Sequence, residues 1–261
     1  MTKETWTAFR KTVKHYRALI DKITVSLPDL PGQIQRLVDS RGGPSYTVGT
    51  PVVYNQALDG ITADSEIKMI LVGDNPGRRE QENRRYLVGP SGKIAEKFFC
   101  DNPSLGIDFR KNVLILNKTP IHTPRTTELK TLCALGGKQV EEAVRYSQKA
   151  MAKLLGEFWH TLSASSGNPG RGAPRKGETS PPIIVWIIGY SEMKKGGIFE
   201  AYTETLKTLC AANDAFKENI RFFRHFSMNQ FTIDLKNQAI PGENLQKRLE
   251  RMGKAYRERV L

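Results

Sequence analysis

The chain has 261 residues, of which 39% are apolar, 26% charged and 8% aromatic. At about 100–200 residues per domain this is one large domain or two small ones, able to bury a core without disulfides or metals, and it excludes a collagen, a coiled coil and a disordered protein. Lys and Arg number 40 against 27 Asp and Glu, a formal charge of +13, which favours a polyanionic partner: nucleic acid or an anionic membrane face.

Residues 5–22 place Trp6, Phe9, Val13, Tyr16, Leu19 and Ile20 at three- and four-residue spacing, which predicts an amphipathic helix. Pro28 and Pro31 are expected to end it, and residues 33–38 to add a short second helix. Residues 39–62 are rich in Gly, Pro, Ser and Thr and read as irregular, so that residues 1–62 form an N-terminal extension. Residues 67–72 form a short apolar strand that runs into a Gly-rich turn. A helix follows over 91–99, with Ser91 near its N-cap. Residues 113–116 form a second buried strand, 138–161 a long helix, 183–188 a third strand, 197–212 a helix and 220–224 a fourth strand. The basic C-terminal segment, 241–261, is helical from 242 to 260. Residues 163–182 carry no large apolar side chain and read as a flexible insertion within one domain.

Continuously apolar strands separated by helices predict an α/β fold: a three-layer α/β/α domain spanning residues 1–261, with a central, mainly parallel four-stranded sheet. No run approaches the ~18 apolar residues of a membrane span, and the first residues lack the layout of a signal peptide. Cys100, Cys133 and Cys210 are odd in number and far apart, so neither a disulfide framework nor a zinc site is expected, and the compartment is read as reducing and intracellular. No metal and no cofactor are expected.

In parallel sheets, ligands sit beyond the strands' carboxyl ends. After the first strand comes Gly73-Asp74-Asn75-Pro76-Gly77, by itself an ordinary turn. Its glycines also let backbone approach a ligand, to which Asp74 and Asn75 offer a carboxylate and an amide. Gly89-Pro90-Ser91-Gly92 opens a helix whose free N–H groups suit a phosphate. After the second strand, Asn117 precedes Lys118. A strand-end Asn usually bonds its own loop, yet its amide also matches the N3–H and O4 edge of a pyrimidine. His122, close behind, is a weaker candidate for base or DNA contact. After the fourth strand comes His225-Phe226-Ser227-Met228-Asn229-Gln230-Phe231. A lone His is more often structural, but flanked by Arg224 and aromatics it suits nucleic acid.

In this order and placement the chain resembles the uracil-DNA glycosylase superfamily over roughly residues 65–235. Val72-Gly73-Asp74-Asn75-Pro76-Gly77 is similar to the family's first motif, which has forms such as Gly-Glu-Ala-Pro-Gly and Gly-Met-Asn-Pro-Gly. Leu87-Val88-Gly89-Pro90-Ser91-Gly92 is similar to the second segment of the iron–sulfur branch. Leu114-Ile115-Leu116-Asn117 resembles the strand that carries the base-reading Asn, and His225-Phe226-Ser227 the His-Pro-Ser motif. The resemblance implies an enzyme that flips a damaged base out of DNA and hydrolyses its N-glycosidic bond. It implies that Asn75, or Asp74 beside it, activates the attacking water. It implies that His225 donates to O2 of the departing base and that Asn117 reads the Watson–Crick edge. Leu87 falls where the family has a stacking Phe, with Tyr86 as the alternative. Gly73 and Gly77 border the base, and Gly77 replaces a Tyr that excludes a 5-methyl group in the uracil-strict branch. Pro90, Ser91, Arg224 and Ser227 are expected at the DNA, with Asn229, Met228 or Phe231 as the wedge that fills the gap.

Three cysteines at unmatched places imply no iron–sulfur cluster. The implied partner is DNA containing uracil or another deaminated base, with hypoxanthine, 5-hydroxymethyluracil or mispaired bases also open. A monomer is expected, with no membrane, because the last helix lacks an interfacial apolar face. Phe226 and Leu87 depart from the motifs and keep open a catalytically inactive, glycosylase-like DNA-binding module. A third reading is a protein for a phosphorylated metabolite.

Overall fold

The computed structural model describes residues 1–164 and 183–261. Apart from Ser163 and Ala164, which end a helix, the expected insertion lies outside the described residues. All four expected strands are present: β1 (Met69–Gly73), β2 (Val113–Asn117), β3 (Ile184–Ile188) and β4 (Ile220–Phe223). They form one sheet in the order β2-β1-β3-β4, with every pairing parallel. Their apolar runs have both faces to bury, as a sheet covered by helices on each side requires.

On one face α1 (Lys3–Ser26), α2 (Leu30–Asp39) and α6 (Glu200–Ala212) pack around the long α5 (Glu128–Ala164). The opposite face is covered by α4 (Pro90–Asp101), α8 (Gln230–Asn237) and α9 (Leu245–Val260). There Phe98 and Phe99 of α4 and Phe231 of α8 meet Trp186 of β3, and Gly253 of α9 lies against Arg221 of β4. The result is a three-layer α/β/α fold.

The first 62 residues are no loose extension. Phe9, Tyr16, Leu19, Ile20 and Ile23 of α1 belong to the core. Pro31 does not stop α1, which ends at Ser26. It sits in the first turn of α2, where a missing N–H has no helical partner to lose. Ser91 lies near the N-cap of α4, in its first turn, and the cap itself is Gly89. Two short helices, α3 (Arg78–Asn83) and α7 (Asp214–Glu218), and α8 are absent from the sequence reading. So is the part of α5 before Gly137, whose φ of 65° and ψ of −162° break the helix there.

Candidate functional site

The carboxyl ends of the four strands bring the predicted groups to one edge of the sheet. Gly73 and Asn117 end β1 and β2 as direct register partners. A Cβ on Gly73 would lie 2.6 Å from Asn117 Oδ1, so glycine is what lets the amide lie over the neighbouring strand end. Asn117 is 3% exposed, and its side chain makes no hydrogen bond among the described residues. Neither amide atom is among the fully buried side-chain atoms that lack a partner, so the amide keeps contact with solvent and is open to a ligand.

Asp74 follows Gly73, and its carboxylate is set by Lys118. The Lys118 ammonium donates to Asp74 Oδ1 at 2.5 Å and to the Ile188 carbonyl at 2.5 Å. It also lies 4.8 Å from the Phe199 ring centre. Lys118 is fully buried. Burial pushes its pKa down, and Asp74 opposes that shift. Beside this pair, Gly189 leaves β3 with φ +75°, where a Cβ would sit 2.5 Å from Asp74 Oδ1.

Asn75 is oriented by its donors. Its Nδ2 donates to Thr123 Oγ1 at 2.9 Å and approaches the Ile121 carbonyl at 3.4 Å. That leaves Oδ1 as an acceptor with no partner among the described residues. The same loop is held by His122, which is fully buried. Its Nδ1 donates to the Pro76 carbonyl at 2.8 Å, and its Nε2 accepts from the Tyr46 hydroxyl at 3.0 Å. Burial pushes the His122 pKa down to about 4, so the ring is neutral. His122 therefore positions the loop and is closed to a ligand.

Glu80 ties the first loop to the second. Its Oε2 accepts from the Gly77 N–H at 2.6 Å. Burial raises the Glu80 pKa, against the backbone groups of Gly77, Gly89 and Leu87 that favour its ionised form. Part of the donor set at the start of α4 is thus already answered from inside. Pro90 is exposed and Ser91 half-buried there.

His225 follows β4. The Ser227 N–H donates to its Nδ1 at 3.1 Å, and Ser227 Oγ lies 2.8 Å from the same atom. An Nδ1 that accepts a backbone N–H carries no proton, so the proton of the neutral ring is on Nε2. Burial pushes the His225 pKa down, Asp74 opposes the shift and Lys118 reinforces it. The same interactions place His225 in the field of the Asp74–Lys118 pair. Phe226, buried, packs against Phe231 at 4.4 Å and Phe98 at 6.4 Å between ring centres. The loop thus rests on the aromatic core where the related motif has a proline.

Three expectations are corrected. Tyr86 is 1% exposed, and its hydroxyl donates to the Val53 carbonyl at 2.6 Å and meets the Tyr16 hydroxyl at 2.5 Å. It ties α1 to the core and offers no face to a base. Leu87 is buried as well, at φ +49°. Phe231 is 2% exposed inside the cluster of Phe98, Trp186, Phe223 and Phe226, so it is no wedge. Met228 is 77% exposed; it and Asn229 are consecutive left-handed residues, with φ of 51° and 56°, and they form the tip of the His225 loop. Arg224 is half-exposed and 3.7 Å from Asp234. Arg78, Arg79, Arg84 and Arg85 are exposed, with Arg78 and Arg79 paired to Glu82.

Lys118, His122 and Glu80 were not identified by sequence as the groups that hold the site. For two of them a local signal exists: a Lys directly after a continuously apolar strand, and a Glu three residues after the Gly that caps α3. Among the described residues no cluster of His, Cys, Asp or Glu could hold a metal ion, and no helix is long and apolar enough to cross a membrane. No protein-family model matches the chain, and no curated protein matches it.

Proposed function

We propose that the chain is an intracellular, monofunctional DNA glycosylase that acts on uracil or another deaminated base in base excision repair. The observation that carries this is the placement, at the carboxyl edge of one sheet, of the Asn117 amide beside Gly73 and of His225 with its proton on Nε2. Breaking the glycosidic bond develops positive charge on the sugar and negative charge on the base. Fixed donors aimed at the base therefore supply most of the stabilisation. Water attacks C1′, the C1′–N bond breaks, and its electron pair leaves with the base. The Nε2–H of neutral His225 donates to the developing O2 anion, while Asn117 pairs with the N3–H and O4 edge. The second oxygen of Asp74 and Asn75 Oδ1 are the acceptors open to the water.

Lys118 supports hydrolysis over a Schiff-base route. A lysine nucleophile must reach C1′, and this one is fully buried and bonded to Asp74 and the Ile188 carbonyl. A base must be flipped to enter the site, at a cost of a few kcal/mol. The exposed Met228 is the side chain placed to fill the gap. The exposed arginines around the first loop and Arg224 supply phosphate contacts.

The test is a panel of oligonucleotides, each with one uracil, hypoxanthine, xanthine or 5-hydroxymethyluracil, assayed for abasic sites. Release of free base without nicking is expected, and its loss in Asn117→Ala and His225→Ala. No release from any of them overturns the proposal. The burial of both Tyr86 and Leu87 favours one second reading, a module that holds DNA without turnover. It predicts binding with full retention of the base, unaffected by Asn75→Ala.

A further inference from the structure

A cleft beside the site carries nucleic-acid chemistry of its own. After Gly189 the chain makes a 3-10 turn, Tyr190–Met193. That turn, α6 and the end of α9 line a cavity of about 760 Å³. Lys194, Lys195, Lys207 and Arg259 line it, against Glu200 and Glu204. Lys207 is 3.6 Å from Glu204, whereas Lys194 and Lys195 are exposed and make no ion pair among the described residues. Cations therefore outnumber carboxylates, and two of them pair with no carboxylate among the described residues.

The cleft also has an aromatic step. Tyr190 stacks on Tyr256 with ring centres 4.7 Å apart and 27° between the planes. The Tyr256 hydroxyl donates to the Asp234 carboxylate, at 2.8 and 3.0 Å from its two oxygens. Arg259 lies 5.2 Å from the centre of the same Tyr256 ring. The stack is thus anchored at its inner end, and half-buried Tyr190 stands at the cleft. Fixing Tyr190 in advance lowers the ordering cost of a base that stacks on it. A positive groove with an aromatic platform is what a single strand uses: phosphates meet the cations and an unpaired base meets the ring. A duplex keeps its bases stacked inside and offers Tyr190 no free face. The cleft's lining starts at Tyr190, next in the chain to Gly189, on which a Cβ would lie against the Asp74 carboxylate.

We infer that this cleft holds a single-stranded stretch of nucleic acid next to the site, with Tyr190 stacked on a base and Lys194 and Lys195 at phosphates. The inference rests on the DNA reading above for its class of partner, and its test does not use base release. Binding of a short labelled oligothymidylate is followed by fluorescence anisotropy over a range of salt, with the matching duplex in parallel. Two phosphate contacts at about 0.7 each mean that Lys194→Gln/Lys195→Gln lowers the salt slope by about 1.4 for the single strand. Stacking of about 1–3 kcal/mol per base means that Tyr190→Ala weakens binding roughly 5- to 150-fold, and Tyr190→Phe restores it. Lys97→Gln/Lys111→Gln, outside the cleft, leaves the slope unchanged. The two lysine substitutions are at exposed positions, so they test the cleft even if Tyr190→Ala fails to fold. Unchanged single-strand binding in the Lys194/Lys195 variant overturns the inference, as does an equal effect on duplex and single strand. A protein that binds strands through these residues and releases no base upholds the cleft while removing the glycosylase. One that releases base with binding indifferent to these residues does the reverse.

Discussion

The two sides of the candidate site are held by different forces. On the β1–β2 side the loops are fixed by buried polar groups: Lys118 on Asp74, His122 on the Pro76 carbonyl and Glu80 on the Gly77 N–H. On the β4 side the polar ties of the His225 loop are local, Ser227 to Nδ1 and the Phe231 N–H to the His225 carbonyl at 3.1 Å, and the loop is carried by Phe226 in the aromatic cluster. Polar anchors give exact direction but leave a costly charge or donor behind when one partner is lost. Aromatic anchors are indifferent to pH and sensitive to volume. The side that orients the candidate water and base-reading groups is therefore held by titratable groups, whereas on the other side pH enters through His225 itself, whose neutral Nδ1 accepts the Ser227 N–H.

The largest effect that separates the two sides is on activity. If His225 supplies the hydrogen bond to the departing base, His225→Ala lowers single-turnover base release by about 100- to 10,000-fold. Its stability changes little, because the loop hangs on Phe226. A loss of activity matched by a loss of folded protein would assign His225 to the scaffold instead. Next is Lys118→Met. Removing one partner of a buried ion pair costs about 3–5 kcal/mol, since Asp74 then faces the core edge alone. Urea unfolding should show this in full, with much of it recovered in the double variant Lys118→Met/Asp74→Asn. A cost under about 1 kcal/mol would mean that the β1–β2 side does not depend on its charges.

The third effect is in pH. His122 titrates at about 4 in the fold and at about 6.5 in the unfolded chain. Between these values the unfolded chain binds the extra proton. The stability His122 contributes is therefore complete above about pH 6.5 and is lost as pH falls towards 4, by roughly 3 kcal/mol. His122→Phe should flatten the fall in urea midpoint over that window. Phe226→Leu, on the other side, should lower the midpoint equally at every pH. Equal slopes in wild type and His122→Phe would remove His122 as the neutral clamp on Pro76.

The same contrast explains what was legible in the sequence. All four strands were, because residues buried on both faces leave an unbroken apolar run. The strand-end groups Asp74, Asn117 and His225 followed from the rule that parallel sheets bind at their carboxyl edge. Helices α3 and α7 were hidden because one or two turns leave no periodicity to read. The first part of α5 was hidden because Gly136-Gly137 reads as an end, whereas the structure continues the helix past a single non-helical residue. Tyr86, Leu87 and Phe231 were misplaced for a shared reason: an aromatic or aliphatic residue beside a motif looks the same whether it faces ligand or core. The Val53 carbonyl and the Tyr16 hydroxyl, 33 and 70 positions away in sequence, settle Tyr86. Lys118 and His122 bond across loops to partners more than 40 positions away; a Lys after an apolar strand can be seen in the sequence, but the partner it bonds cannot.

The smallest effect belongs to the loop tip and has opposite signs for stability and for activity. Met228 has φ +51° and is 77% exposed, so its side chain adds little packing while its backbone bears a left-handed cost of about 1–2 kcal/mol. Glycine relieves that cost and gives back about 0.4–1 kcal/mol through the freer unfolded chain. Met228→Gly should therefore leave stability unchanged or raise it by up to ~1 kcal/mol. Asn229 beside it tolerates the same conformation more readily, so an exposed Met at this position is what turn geometry alone leaves unexplained. If Met228 fills the space of a flipped base, Met228→Gly lowers base release from duplex DNA and spares release from single strands, where no gap opens. The ratio of the two rates is the measurement, and it cancels any change in the amount of folded protein. A ratio equal to that of the wild type would reduce the tip to turn geometry and leave the β4 side with His225 as its only functional group.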